Sequence, residues 1–131
     1  MKSFVNLVFF SLITVLLYSC QISPNYPENK GKLTVSNLSE NDNDKIIAVY
    51  TRVYETKDWI LQWQNPEGKK VQEDAVMYLT EDKYDVLVYV RRDNFFYYTT
   101  LTFQTGYKSP VKVTENNYTI ITFDGKGIYT M

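Results

Sequence analysis

From Gly31 onward apolar and polar residues alternate in short runs rich in Val, Ile, Thr, Tyr and Phe, and a period of two sends successive side chains to opposite faces of a strand. These runs predict strands at 32–37, 45–54, 58–64, 74–79, 83–92, 95–104, 109–114 and 117–123, with a short closing strand at 128–130. Turn residues separate them. Asn65-Pro66-Glu67-Gly68 has Pro second and Gly fourth, as a type I turn prefers, and Asp124-Gly125 is another turn signal. No segment carries the 3.6-residue period of a helix. About seven or eight strands with turns every 8–12 residues predict an all-β, antiparallel β-sandwich, and a small β-barrel is the alternative closure.

Two hairpins can be read further. A two-residue turn at Asp93-Asn94 would set Val90 against Tyr97, Val88 against Thr99, Val86 against Leu101 and Tyr84 against Phe103 on the core side. The opposite side would then pair Arg91 with Phe96 and Tyr89 with Tyr98, an aromatic and Arg row of the composition found at binding hot spots. Tyr89, Arg91, Phe96 and Tyr98 are therefore one candidate binding surface, weighed against plain cross-strand stabilisation of the sheet.

The second hairpin turns on register. Trp59, Leu61 and Trp63 share one face of the strand 58–64. A three-residue loop (Glu55, Thr56, Lys57) would place Trp59 opposite Val53 and Trp63 opposite Val49, an ordinary core. A two-residue loop (Thr56, Lys57) would place Trp59 opposite Tyr54 and Trp63 opposite Tyr50. Tyr54, Trp59 and Trp63 would then form a flat platform on which a glycan could stack. One residue of slip exchanges the faces.

The N-terminus has a different pattern. Met1 and Lys2 give a positive start, and Phe4 to Tyr18 form an apolar run interrupted only by Asn6, Ser11 and Thr14. It is too short for a spanning helix and has the length of a secretory h-region. The run ends at Leu17-Tyr18-Ser19-Cys20, which resembles the lipobox of bacterial lipoproteins. Tyr18 is the one bulky departure, at the most permissive position. The resemblance implies cleavage before Cys20, acylation of Cys20 (palmitate among the chains) and attachment to a membrane in the cell envelope. Gln21 resembles the outer-membrane sorting signal of diderm bacteria. Pro24 and Pro27 lie among polar residues before Gly31, so 20–30 reads as a lipidated Cys with an extended tether, following a signal peptide at 1–19 and preceding a single domain at 31–131. The run of strands is loosely similar to the immunoglobulin-like or prealbumin-like modules common in envelope lipoproteins, a likeness that transfers no residue.

Composition narrows the chemistry. The 131 residues suit one domain, and 14 Lys plus Arg against 15 Asp plus Glu leave a formal charge of −1, without the basic excess that nucleic-acid binding requires. The chain has no His and one Cys, which removes the usual zinc, copper and haem ligands, the His-dependent nucleophile pairs and any intrachain disulfide. Asn41-Asp42-Asn43-Asp44 offers oxygen ligands but lacks the Gly and distant Glu of a calcium loop, so it reads as a solvated turn. Glu73-Asp74 and Glu81-Asp82 diverge as neighbours in extended chain and do not make a glycosidase pair. Arg91-Arg92 and Lys69-Lys70 read as exposed turn charges. The expectation is a non-catalytic lipoprotein module, not an enzyme, without cofactor or metal. It would be anchored to the membrane through Cys20 and would bind a protein partner or serve a structural role in the envelope, with carbohydrate binding through Trp59 and Trp63 as the alternative.

Overall fold

The computed structural model describes residues 26–65, 74–105 and 109–130. Cys20, the apolar leader, the turn at 66–68 and Lys69-Lys70 lie outside the described residues.

Among the described residues nine strands are found where the alternation predicts them: β1 (Lys30–Asn37), β2 (Asp44–Val53), β3 (Ile60–Gln64), β4 (Ala75–Thr80), β5 (Asp82–Asp93), β6 (Tyr98–Gln104), β7 (Val111–Val113), β8 (Tyr118–Phe123) and β9 (Ile128–Thr130). They form a four-stranded sheet ordered β4-β1-β8-β9 and a five-stranded sheet ordered β3-β2-β5-β6, with β7 also paired to β5. The two sheets do not close into a barrel, so the sandwich is the architecture. β1 and β8 run parallel, while the other described pairings are antiparallel.

Strict alternation sets the inner faces. β4 reads buried-exposed throughout, with Ala75, Met77 and Leu79 inward. Leu33 and Val35 from β1, Val86, Val88 and Val90 from β5, and Ile121 and Phe123 from β8 are fully buried between the sheets. Burying one such aliphatic side chain is worth about 1.5–3 kcal/mol, and Phe123 stacks at a tilt on Phe103 with ring centroids 5.0 Å apart. This buried cluster runs from Leu33 to Phe123 and draws on both sheets, one core of the kind that folds as a unit.

Irregularities decide which residues face out. β6 and β7 lie along the same side of β5: β6 pairs with Leu87–Asp93 and β7 with Asp82–Tyr84. In β2 the pairing with β5 shifts between Ile46 and Ala48, a β-bulge after which the inward positions change from Asp44 and Ile46 to Val49 and Thr51. β3 has a bulge of its own, because Val49 faces Trp63 while Tyr50 faces Leu61. Gln62 is the extra residue and donates to Thr51 Oγ1 at 2.9 Å.

Pro27 to Lys30 close a turn through Lys30 N–H to the Pro27 carbonyl, with Asn29 at φ 60°, and Lys30 already belongs to β1. Tyr26 packs edge-on against Tyr78 at 6.2 Å. Tyr78 points away from the core of β4, so the chain arrives across the outer face of the four-stranded sheet.

Candidate functional site

The outer face of the five-stranded sheet carries the polar and aromatic side chains that the core excludes. On β5 these are Asp85, Leu87, Tyr89, Arg91 and Asp93, and on β2, after the bulge, Tyr50 and Arg52. Arg52 and Asp85 sit opposite each other, and Arg52 Nε donates to Asp85 Oδ2 at 2.9 Å. The same guanidinium lies over the Trp59 ring, 4.4 Å from its centroid. Near the other end of the face the arrangement recurs. Arg91 Nε donates to Asp93 Oδ1 at 2.7 Å, Lys45 Nζ lies 3.1 Å from Asp93 Oδ2, and Arg91 sits 4.2 Å over the Tyr98 ring. Between the two, Tyr50 and Tyr89 meet edge to face at 5.3 Å. Each Arg is thus held between a carboxylate and an aromatic ring, which fixes a long flexible cation before anything binds. Hydrogen bonds from Arg91 and Lys45 hold the Asp93 carboxyl below the usual carboxylate range.

The hairpin register differs from the expectation. Val90 faces Leu101 instead of Tyr97, a shift of four residues, and Val88 faces Phe103. The strands are joined by the loop Asn94–Tyr97, whose Asn94 N–H donates to the Tyr97 carbonyl at 2.7 Å. The expected pairs Arg91/Phe96 and Tyr89/Tyr98 are therefore not formed. Arg91 stands opposite Thr100, Tyr89 opposite Thr102 and Asp93 opposite Tyr98. Four is even, so each side chain keeps its expected face, and Tyr89, Arg91 and Tyr98 still share the outer surface. Phe96 belongs to the hairpin tip, where Phe95 and Phe96 touch edge-on at 4.7 Å and are 92% and 90% exposed.

The second aromatic group is divided. Trp63 keeps the three-residue-loop partner Val49 and packs against the core. Gln62 then reverses the alternation, so that Trp59 lies with Arg52 on the outer face. Tyr54 stands just beyond β2, its N–H bonded to the Lys83 carbonyl at 2.8 Å. Trp59 and Trp63 do not share a platform. Trp59 instead extends the row of Tyr50, Tyr89, Arg91 and Tyr98, so two candidate surfaces contribute to one.

A buried ion pair closes the same end of the sandwich. Asp44, fully buried, accepts from Arg92 Nε at 2.7 Å, Arg92 Nη2 at 2.8 Å and Ser39 Oγ at 2.6 Å. Arg92 also donates to the Gly125 carbonyl at 2.9 Å, which ties β5 to the β8–β9 turn of the other sheet. Burial alone would push the Asp44 carboxyl up, but the bonds from Arg92 and Ser39 and the Arg92 charge outweigh it and hold it below its ordinary value. Asp44 in turn raises the Arg92 guanidinium. Arg92 is therefore not an exposed turn charge, and Asp44 is not part of a solvated turn. Parity holds the missed signal: Arg92 continues the inward positions Val86, Val88 and Val90, and Asp44 continues Ile46. Asn41 Oδ1 accepts from Asn43 N–H at 3.0 Å, so this segment caps its own backbone. Among the described residues no cluster of three acidic, His or Cys side chains is placed to hold a metal ion.

A groove of about 310 Å³ opens between the edges of the two sheets beside β3 and β4, lined by Thr51, Ile60, Gln62, Tyr78 and Tyr84, with Asp82 the one carboxylate among the described residues that line it.

No protein-family profile, no curated protein and no solved structure matches this chain.

Proposed function

We propose that the chain is a lipid-anchored, non-catalytic protein-binding module of a bacterial cell envelope. It is attached through acylated Cys20, on the outer membrane where there is one, and it recognises its partner with the outer face of the five-stranded sheet. The observation that carries this reading is the ordered row Trp59, Arg52, Tyr50, Tyr89, Arg91 and Tyr98. Trp, Tyr and Arg dominate binding hot spots because they combine large contact area with directional polar groups, and side chains already fixed by neighbours lose little entropy on binding. Support also comes from Tyr26, which packs on the opposite sheet, so a tether arriving there leaves the aromatic row turned away from the membrane.

The test is chemical cross-linking in intact cells that express the full chain, compared with the double substitution Tyr89→Ser and Tyr98→Ser. The native chain should give a discrete adduct that the double variant loses, while circular dichroism shows the same β-sheet signal for both. An adduct retained by the folded double variant would remove this face from the proposal. Binding of an oligosaccharide panel with a change in Trp59 emission, and no protein adduct, would replace the protein partner with a glycan.

A further inference from the structure

We propose that β6 is a dimerisation edge, to which a second copy of this chain adds its own β6 in antiparallel pairing. Among the described residues β6 is the last strand of its sheet and no other strand pairs with its outer side, and hydrogen bonding alternates along it. The Tyr97 carbonyl accepts from Asn94 and the Thr105 N–H donates to Val86, across the same side as β5. Positions 97, 99, 101, 103 and 105 therefore face β5, and the backbone groups of Tyr98, Thr100, Thr102 and Gln104 point to the open side. Unpaired groups of this kind are a template for another strand, and proteins ordinarily blunt such edges with charge, proline or a bulge. β6 has none of these: YTTLTFQ contains no charged residue and no proline, and its pairing with β5 runs without a shift.

The occupant follows from charge and from the tether. An edge without charge is complementary to itself, since antiparallel pairing of two copies sets Thr100 against Thr102 and Leu101 against Leu101 with no like charges opposed. The half-buried Leu101, packed at the rim of the core beside Phe103, would be covered by the Leu101 of the second copy, and Phe103 would stand opposite Thr99. The two-fold axis of such a pair stands normal to the joined five-stranded sheets. Both four-stranded sheets then lie on one side of the dimer, and so do both Tyr26 residues, so two tethers can reach one membrane. The aromatic rows lie together on the other side as one doubled surface. The tether argument rests on the lipid-anchor reading proposed above, but the edge itself does not.

Sedimentation equilibrium of the unlipidated segment 26–131 tests the edge separately from the anchor and from any partner. A single-strand interface is small and weak, so the apparent mass should approach twice the monomer between about 10 µM and about 1 mM. Thr100→Pro should remain monomeric over that range while keeping the native circular dichroism spectrum, because the Thr100 N–H faces the open side, where proline is tolerated. Thr102→Lys, which brings two lysines together as diagonal neighbours on one face across the two-fold axis, should do the same and serves if the proline variant does not fold. A native segment that stays monomeric to 1 mM, or a dimer that survives both substitutions, overturns the proposal.

Discussion

Replacing Arg92 with Met removes the cation of the buried pair while preserving most of the apolar stem. Asp44 then keeps only the Ser39 hydroxyl as a side-chain donor and remains fully buried. An uncompensated buried charge costs about 3–5 kcal/mol, unless the carboxyl takes up a proton. Protonation sets the ceiling. From an unfolded value near 3.9, holding the acid neutral costs about 1.4 kcal/mol per pH unit, or about 4 kcal/mol at pH 7 and about 1.5 kcal/mol at pH 5. The signs of the two proteins are opposite. In the native protein the Asp44 carboxyl lies below its ordinary value, so its contribution is present above pH ~4 and is lost as pH falls through the folded value. In the variant the carboxyl lies above its ordinary value, so stability increases as pH falls from 7 toward 4. Urea unfolding at pH 7 should show a loss of about 3–4 kcal/mol, and a loss about 2 kcal/mol smaller at pH 5. The shift in Tm at pH 7 would be at least ~12 °C for a domain of this size. Equal losses at the two pH values would refute the reasoning, because an unpaired carboxylate would then not be the cause.

Other outcomes follow from the same geometry. Phe123→Ala should cost about 3–5 kcal/mol in urea unfolding, since a fully buried ring is removed from the centre of the core. Gly125→Ala should destabilise by about 1–3 kcal/mol: Gly125 has φ +93°, and an added Cβ would lie 2.7 Å from Ser39 Oγ, against the ion pair. Thr122 Oγ1 is buried without a hydrogen-bond partner among the described residues, so Thr122→Val should be neutral or stabilising by up to about 1 kcal/mol in thermal unfolding. Of the single-tryptophan proteins, Trp59→Phe, which leaves Trp63, should be quenched poorly by acrylamide, and Trp63→Phe should be quenched more readily; equal quenching would contradict the bulge at Gln62. Cys20→Ala should abolish incorporation of an alkyne palmitate analogue and release the chain from the membrane fraction, and persistence of both would remove the lipid anchor.

The strands were legible because alternation survives almost every local irregularity, so Tyr84, Val86, Val88, Val90, Leu101 and Phe103 could each be given an inward face from the sequence. Register was less legible. Phe95 to Tyr98 have the composition of a strand interior, yet the first three of these aromatics make the hairpin loop, and the pairing moved four residues without exchanging faces. A bulge leaves no residue-type signature, so Gln62 could separate Trp59 from Trp63 unannounced. Asp44 and Arg92 lie 48 residues apart, and a charge pair at that distance is not visible in local pattern. What the sequence carries is parity: both charges fall on inward positions, and buried opposite charges must find partners. The aromatic row was visible as composition and in part as pairing. Its union with Trp59 depended on Arg52, whose neighbours are set by the bulge in β2.

The central claim is that the outer face of the five-stranded sheet meets a partner while the opposite sheet faces the anchor. Its most direct test is photo-cross-linking in intact cells, with p-benzoylphenylalanine placed singly at Tyr98, on the aromatic face, or at Tyr118, which is at least as open to solvent on the other sheet. A discrete adduct to one other protein from position 98, absent from position 118, is the predicted result. The same adduct from both positions, or one from position 118 alone, would contradict the account.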